Sequence, residues 1–347
     1  MSFRYIGSKA RVVEAIMENI GPPDGGVFVD AFSGTGAVAG AASRAGWPVH
    51  VNDHLFSSAI MSYARVMSST QAGFVNVGGY HGAIEKLNSA KPRPGFIWKE
   101  YSPASSAHCG IERMYFTEQN ARKIDGVRSL IAEMVGGNLI GDVEEKILLA
   151  DLLLAANRFA NTAGTYGCFL SKWQRQSLET IFLTPRKIPD SLPDAKMSHC
   201  DVLDVPCSEE DTVYLDPPYT KRQYAAYYHI LETIALGDEP TVEGVCGIRP
   251  WQHIASDYCY KVRAASALEQ LVAQIPARRI FLSYSTEGHV PLPVLDEAFR
   301  GLGDVVVHHL DAIGRYRPNR AASEAGSEVS EVLFFIEKPV AENREAA

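Results

Sequence analysis

Asp216-Pro217-Pro218-Tyr219 follows directly on the apolar run Thr212-Val213-Tyr214-Leu215. A run of that kind reads as a buried strand. Two successive prolines cannot continue a strand, so the chain must stop and turn there. A carboxylate and an aromatic ring are thereby held on a stiff loop at a strand end. In an open α/β sheet that edge is where ligands bind. An acid beside a ring suits the gripping of a flat heterocycle that bears an amino group.

A second set of residues lies upstream, in Phe28-Val29-Asp30-Ala31-Phe32-Ser33-Gly34-Thr35-Gly36. Glycines after a first strand let a cofactor approach the backbone closely. The pattern is Gly-x-Gly followed by Ala37 and Val38, without the third glycine that a dinucleotide pyrophosphate prefers. Asp53, at the end of the next strand, is placed to take ribose hydroxyls. Together these residues fit a nucleoside cofactor without phosphates. A third set, Arg4-Tyr5-Ile6-Gly7-Ser8-Lys9, precedes a helix expected from about Ala10 to Glu18. Its lysine can meet a carboxylate and Tyr5 can offer a ring face. A basic arm on the surface is an equally good reading of that segment alone.

The elements that must position these groups follow from the apolar pattern. Strands are expected at Val27–Ala31 and Pro48–Asp53, with a small-residue helix from about Ala37 to Ala45 between them. Strand, Gly-rich turn, helix and strand make a βαβ unit and imply a parallel sheet. The rhythm breaks from Met61 to about Ala195. A helix is expected there over about Val143 to Phe159, with Asp142 as cap and Glu145 three residues on. It resumes with strands at Thr212–Leu215 and Arg279–Ser283 and a helix from about Cys259 to Gln274. Val305–Leu310 and Val329–Glu337 are expected to form a final antiparallel pair. The reading is an α/β catalytic domain in two pieces, 1–62 and 197–337, a mainly helical insert over 63–196, and a frayed tail over 338–347.

Composition excludes several classes. With 347 residues, 46% hydrophobic and 21% charged, the chain has the make-up of a soluble globular protein that can bury a sizeable core. It holds no apolar run of membrane-spanning length and no signal peptide, which points to the cytoplasm. Six cysteines without CxxC spacing read as reduced thiols, with no metal site or disulfide framework. The net charge of −8 argues mildly against a nucleic-acid partner, and on charge alone a solvated surface is the better reading. The average hides local excess, however. Seven Lys/Arg stand against four Asp/Glu between Lys91 and Arg128, and five against one between Asn157 and Lys187.

Taken together, the motifs resemble those of amino-methyltransferases that use S-adenosyl-L-methionine. More narrowly, the chain resembles the DNA adenine methylases that act on the exocyclic N6. The likeness rests on Arg4–Lys9, Phe28–Gly36, Asp53, His199-Cys200-Asp201-Val202-Leu203 and Asp216–Tyr219, in the order of that family's alpha group. It covers about 200 residues in two blocks and barely constrains the insert. The chain departs from the family in lacking the two adjacent glycines that many members carry before the lysine.

The resemblance implies a Rossmann-like methyltransferase sheet with an antiparallel final strand and a target-recognition insert. It implies that Asp30, Phe32, Gly34 and Gly36 line the cofactor pocket and that Asp53 takes the ribose hydroxyls. Asp201 and Val202 would meet the cofactor adenine, and Lys9 and Tyr5 would hold the methionine end. Asp216, Pro217, Pro218 and Tyr219 would handle the target base. The partner implied is duplex DNA with a target adenine, possible companions being a cognate restriction enzyme or another defence protein. No cysteine sits in a Pro-Cys motif by a predicted active strand. Cys207 follows Pro206, but in a polar acidic stretch, which argues against cytosine ring methylation.

Around the catalytic loop, Thr220-Lys221-Arg222-Gln223-Tyr224 suits phosphate and base contacts as well as it suits an ordinary helix start. In the insert, Asn161–Gly167 reads as a flexible loop beside Lys172, Trp173 and Arg175. Two other readings stay open: methylation of an amino group on RNA or on a protein glutamine, and a non-catalytic DNA-binding relative. Glutamine methylases usually carry asparagine in place of Asp216 and lack a large insert.

Overall fold

A computed structural model of the chain describes residues 6–310 and 330–339. Tyr5 and the tail from 340 onward lie outside the described residues. The chain divides into two compact units. One, the sheet unit, takes in Ser8–His54, Pro193–Gln223 and the chain from Ser256 onward. The other, the helical unit, holds Leu55–Leu192 and Tyr224–Ala255 with the N-terminal residues up to Gly7.

The sheet unit begins with a short 3-10 helix, Lys9–Arg11, and helix α1, Val13–Ile20, where one continuous helix was expected. Strand β1 (Phe28–Asp30), helix α2 (Ala37–Arg44) and strand β2 (Val49–Asn52) follow as the expected βαβ unit. The other strands are β3 (Ala195–Ser198), β4 (Thr212–Leu215), β5 (Arg279–Ser285), β6 (Asp304–Leu310) and β7 (Glu331–Glu337). Their order across the sheet is β3-β2-β1-β4-β5-β7-β6. The first five run parallel, and β7 runs antiparallel to both β5 and β6. This is an α/β sheet of the Rossmann-like methyltransferase kind, with its antiparallel strand wedged between two neighbours.

Side-chain alternation builds the core. Val29, Val213, Leu215, Ile280 and Leu282 join Leu268, Leu271 and Val272 from the helix Ala264–Gln274, and Leu295 and Phe299 from the helix Leu292–Arg300. The alternate residues form aromatic pairs, with Phe28 stacked on Tyr214 and Phe281 on Phe335. All four residues of β4 are buried, as expected for a central parallel strand.

Strand order reverses between β1 and β4, which lie side by side with Asp30 opposite Tyr214. At such a switch point two loops leave the sheet in diverging directions and open a crevice. The Gly-rich turn follows β1, and Asp216 follows β4. Topology alone therefore brings the two main sequence motifs to one edge.

In the helical unit α3 (Phe56–Val66) packs against the helices Asp142–Phe159 and His229–Leu236, and Glu118–Gly136 packs on Asp142–Phe159 in turn. The cap of Asp142–Phe159 differs from expectation. Gly141 is the capping residue, and its amide donates to Glu144 Oε2 at 2.8 Å, so Asp142 and Glu145 do not form the box. The N-terminus of α3 is capped from a distance, because the buried Glu232 carboxylate accepts from the amides of Phe56 (2.9 Å) and Ser57 (2.8 Å). Asn161–Gly167 is not a loose loop. Asn161, Thr162 and Tyr166 are buried, and the Asn161 side chain bonds the backbone of Met114, Leu170 and Gln174.

Candidate active site

The end of β1 carries an unusual carboxylate. Asp30 is 1% exposed, and its Oδ2 accepts from the Ala39 amide in the first turn of α2 at 3.1 Å. Its other oxygen, Oδ1, has no hydrogen-bond partner among the described residues. Burial pushes its pKa up to about 8 against the pull of the Ala39 amide, and the nearby charges of Asp216 and Asp53 add to the rise. Beyond it the backbone turns through Gly34 (φ 51°) and Gly36 (φ 72°), left-handed positions that a Cβ would strain. The Gly34 amide donates to Asp53 Oδ2 at 2.9 Å, so Asp53 clamps the turn from the end of β2.

Asn52, one residue earlier, ties the crevice floor together. Its amide donates to the Ala31 carbonyl (3.1 Å) and the Cys200 carbonyl (3.3 Å), and its oxygen accepts from the Cys200 amide (3.2 Å). Asp201 follows and caps a short 3-10 helix by accepting from the Leu203 amide at 3.0 Å, with Val202 buried beneath it.

Phe32 is half-buried and meets the ring of Tyr258 edge-on, with centroids 5.8 Å apart. Burial raises the Tyr258 phenol, and the charge of Asp201 adds to the rise, which puts that carboxylate within electrostatic reach. Tyr258 falls where a helix was expected to begin. The helix starts later, at Ala264, and Asp257–Cys259 is a separate 3-10 turn. Reciprocal bonds hold this segment to the loop after the prolines. Gln223 Nε2 donates to the Ser256 carbonyl (3.1 Å), and the Ser256 amide donates to Gln223 Oε1 (2.9 Å). His289 adds a brace, its amide donating to the Tyr219 carbonyl at 2.9 Å and its Nε2 lying 3.1 Å from the Cys259 carbonyl.

At the end of β4 the site is ionic. Lys9, 5% exposed, puts Nζ 3.2 Å from Asp216 Oδ1 and 3.0 Å from Glu331 Oε2. It also lies over the Tyr219 ring, 5.1 Å from the centroid, and 3.5 Å from its hydroxyl. The Tyr219 hydroxyl donates to Glu331 Oε1 at 3.3 Å, and its ring packs on Tyr284 at 5.4 Å. Burial pulls the Lys9 ammonium down, but Asp216, Tyr219 and Glu331 carry it well above the ordinary lysine value, so it stays charged. Burial lifts Asp216 to about 6, opposed by Lys9 and assisted by Glu331. Burial likewise raises Tyr219 to about 12.

The residues named from sequence thus gather into two groups at one sheet edge. Asp30, Gly34 and Asp53 form the turn, with Phe32, Asp201 and Val202 beside it. Lys9, Asp216 and Tyr219 form the ionic cluster on the rigid Pro217-Pro218 loop. Glu331, Tyr258 and Asn52 belong to the same edge and were not singled out in the sequence. Among the described residues there is no cluster that could hold a metal ion, and no helix is long and apolar enough to cross a membrane.

The family model for D12 class N6 adenine-specific DNA methyltransferases matches residues 5–290, and the chain belongs to that family. It is similar to the modification methylase LlaI of Lactococcus lactis subsp. lactis, with 32% identity over 355 residues, 98% of this chain and 56% of the relative. It is 32% identical over 348 residues to the type II methyltransferase M.FokI of Planomicrobium okeanokoites, across 97% of this chain and 53% of the relative. The type II methyltransferase M.NlaIII of Neisseria lactamica is also 32% identical, over 308 residues, 86% of this chain and 88% of the relative. The chain spans about half the length of LlaI and M.FokI. Membership of the family implies a methyl donor.

Proposed function

We propose that the chain transfers a methyl group from S-adenosyl-L-methionine to the N6 amino group of adenine in duplex DNA. The observation that carries this reading is Asp216, a half-buried carboxylate on a proline-locked loop, at the same switch point as a glycine turn beside Asp30, a buried acid with one unpartnered oxygen.

The residues present fit the cofactor. Asp30 offers a buried oxygen without a partner, suited to a cationic amino-acid end. Gly34 and Gly36 leave the turn open, Asp53 stands at the ribose position, and Phe32 with Tyr258 offers aromatic surface near Asp201. When bound, S-adenosyl-L-methionine supplies an electrophilic methyl group on a sulfonium centre.

The protein's own work falls on the target amine. The nitrogen of an adenine amino group is a poor nucleophile because its lone pair is delocalised into the ring. Asp216 accepts a hydrogen bond from that amine, and a carbonyl of the Pro217-Pro218 turn accepts the other. The two acceptors favour a tetrahedral nitrogen with an available lone pair. Holding it so supplies much of the rate in a bimolecular transfer, and no covalent enzyme intermediate is needed. Flipping the base out of the duplex costs a few kcal/mol. Stacking on Tyr219, which Tyr284 and Lys9 brace, returns roughly 1–3 kcal/mol. The helical unit, which contains most of the insert, reads the target sequence. The names of the relatives support a place beside a restriction enzyme that cuts the same sequence.

The test is Asp216→Ala, assayed with tritiated S-adenosyl-L-methionine on amplified, methyl-free DNA. Transfer should fall by at least about a hundredfold, while calorimetry shows cofactor binding largely kept. Retained turnover would remove Asp216 from its assigned role.

A further inference from the structure

The ionic cluster contains one more carboxylate than a simple lysine–aspartate pair requires. Lys9 bridges Asp216 and Glu331, so one ammonium faces two carboxylates. Glu331 is the first residue of β7 and is paired to Ser285 of β5 on one side and Leu310 of β6 on the other. Its backbone is therefore fixed by two ladders, and its side chain is only 16% exposed. One carboxylate oxygen holds Lys9 and the other accepts from the Tyr219 hydroxyl. A group mounted so rigidly positions its partners well.

Charge decides what this arrangement does. A lysine paired with Asp216 alone would cancel its charge and weaken it as an acceptor. With Glu331 present the cluster carries a net negative charge, and an amine that gains positive character during transfer is stabilised by that charge. We propose that Glu331 is a positioning residue for the methyl transfer: it takes up the charge of Lys9 and anchors the Tyr219 hydroxyl, leaving the Asp216 carboxylate available to the amine. This rests on the function proposed above.

The pH dependence gives the readout that separates this role from a purely structural one. The titratable groups facing Asp216 are Lys9, Glu331, Tyr214, Tyr219 and Asp30. Asp216 must be ionised to accept from the amine, so activity falls as pH drops through its pKa. The charge of Glu331 raises that pKa. Removing the charge must move the acid limb to lower pH even as the plateau rate falls.

The experiment compares wild type, Glu331→Gln, Glu331→Asp and Asp216→Ala on amplified, methyl-free DNA with tritiated S-adenosyl-L-methionine across a pH series. Glu331→Gln should lose roughly 10- to 100-fold in kcat, the range expected for one charge-assisted contact. Its KM for the cofactor should change little, and its acid limb should move to lower pH. Glu331→Asp, which keeps the charge, should lose less and leave the limb in place. Thermal melting and S-adenosylhomocysteine binding report whether each variant is folded, and Glu331→Ser replaces a glutamine variant that is not. A wild-type rate in Glu331→Gln, or equal losses in both variants with an unmoved limb, would overturn the proposal. Asp216→Ala separates the two claims, because activity in that variant would overturn the proposed function itself.

Discussion

The two units bury charge in different ways. In the helical unit, the buried carboxylates of Asp151 and Glu100 are each matched by an arginine. Asp151 accepts from Arg186 Nε at 2.7 Å through one oxygen and from the Tyr80 hydroxyl at 2.8 Å through the other. Arg113 spends its guanidinium on Glu100 and on the carbonyls of Gly244 and Val245. At the switch point of the sheet unit, two buried charged groups are not matched in this way. Asp30 keeps an oxygen without a partner, and Lys9 faces two carboxylates. Matched burial holds a fold together, whereas unmatched burial costs stability and persists where a ligand completes it. The contrast agrees with the proposal that the chemistry belongs to the sheet unit.

The largest expected effect tests the matched side. Arg186→Met strands Asp151, and breaking such a pair should cost about 3–5 kcal/mol of stability. Chemical unfolding would measure the loss, while the folded fraction should bind cofactor as wild type does. A loss of cofactor binding in the folded fraction would break the comparison.

Asp30→Asn tests the unmatched side and should have opposite effects on binding and stability. Cofactor affinity should drop roughly 10- to 100-fold, as for a lost charge-assisted bond. The pKa of Asp30 is raised to about 8 from 3.8, so the native state holds its proton more tightly than the unfolded chain. Wild-type stability from this group is complete below pH 3.8 and is lost as pH rises towards 8. The asparagine variant pays no such cost and should melt higher than wild type at alkaline pH, with the gain vanishing in acid. A lower melting temperature at alkaline pH would contradict the assignment.

The smallest effect sharpens the boundary of the site. Tyr258→Ala removes the ring that meets Phe32, and cofactor affinity should fall roughly two- to tenfold, the worth of an aromatic pair. Unchanged affinity by calorimetry would take Tyr258 out of the cofactor pocket.

Much of the site was legible because its signals are local. Two prolines after four buried residues can only end a strand, and β4 runs over Thr212–Leu215 as expected. Gly34 and Gly36 adopt the left-handed angles that a ligand turn uses. The residues missed are those defined by distant partners. Glu331 meets Lys9 across 322 positions of sequence, and nothing near it distinguishes it from any acid at the start of a strand. Asn52 reads as an ordinary polar end to β2, since its side-chain contacts with Ala31, Ser198 and Cys200 exist only after the sheet forms. Asn161 misled in the same way. Glycines and polar residues suggested a loose loop, yet the asparagine side chain substitutes for missing backbone pairing and stiffens the segment. The helix at Ala264 begins later than expected, after the separate 3-10 turn Asp257–Cys259.

The central claim is that Asp216 presents an adenine amine for methylation. Single-molecule sequencing of amplified, methyl-free DNA after incubation with the protein and S-adenosyl-L-methionine tests it most directly. The account predicts N6-methyladenine confined to one short sequence with the wild type and none with Asp216→Ala. Methyl groups on cytosine, or adenine methylation that survives in the variant, would contradict it.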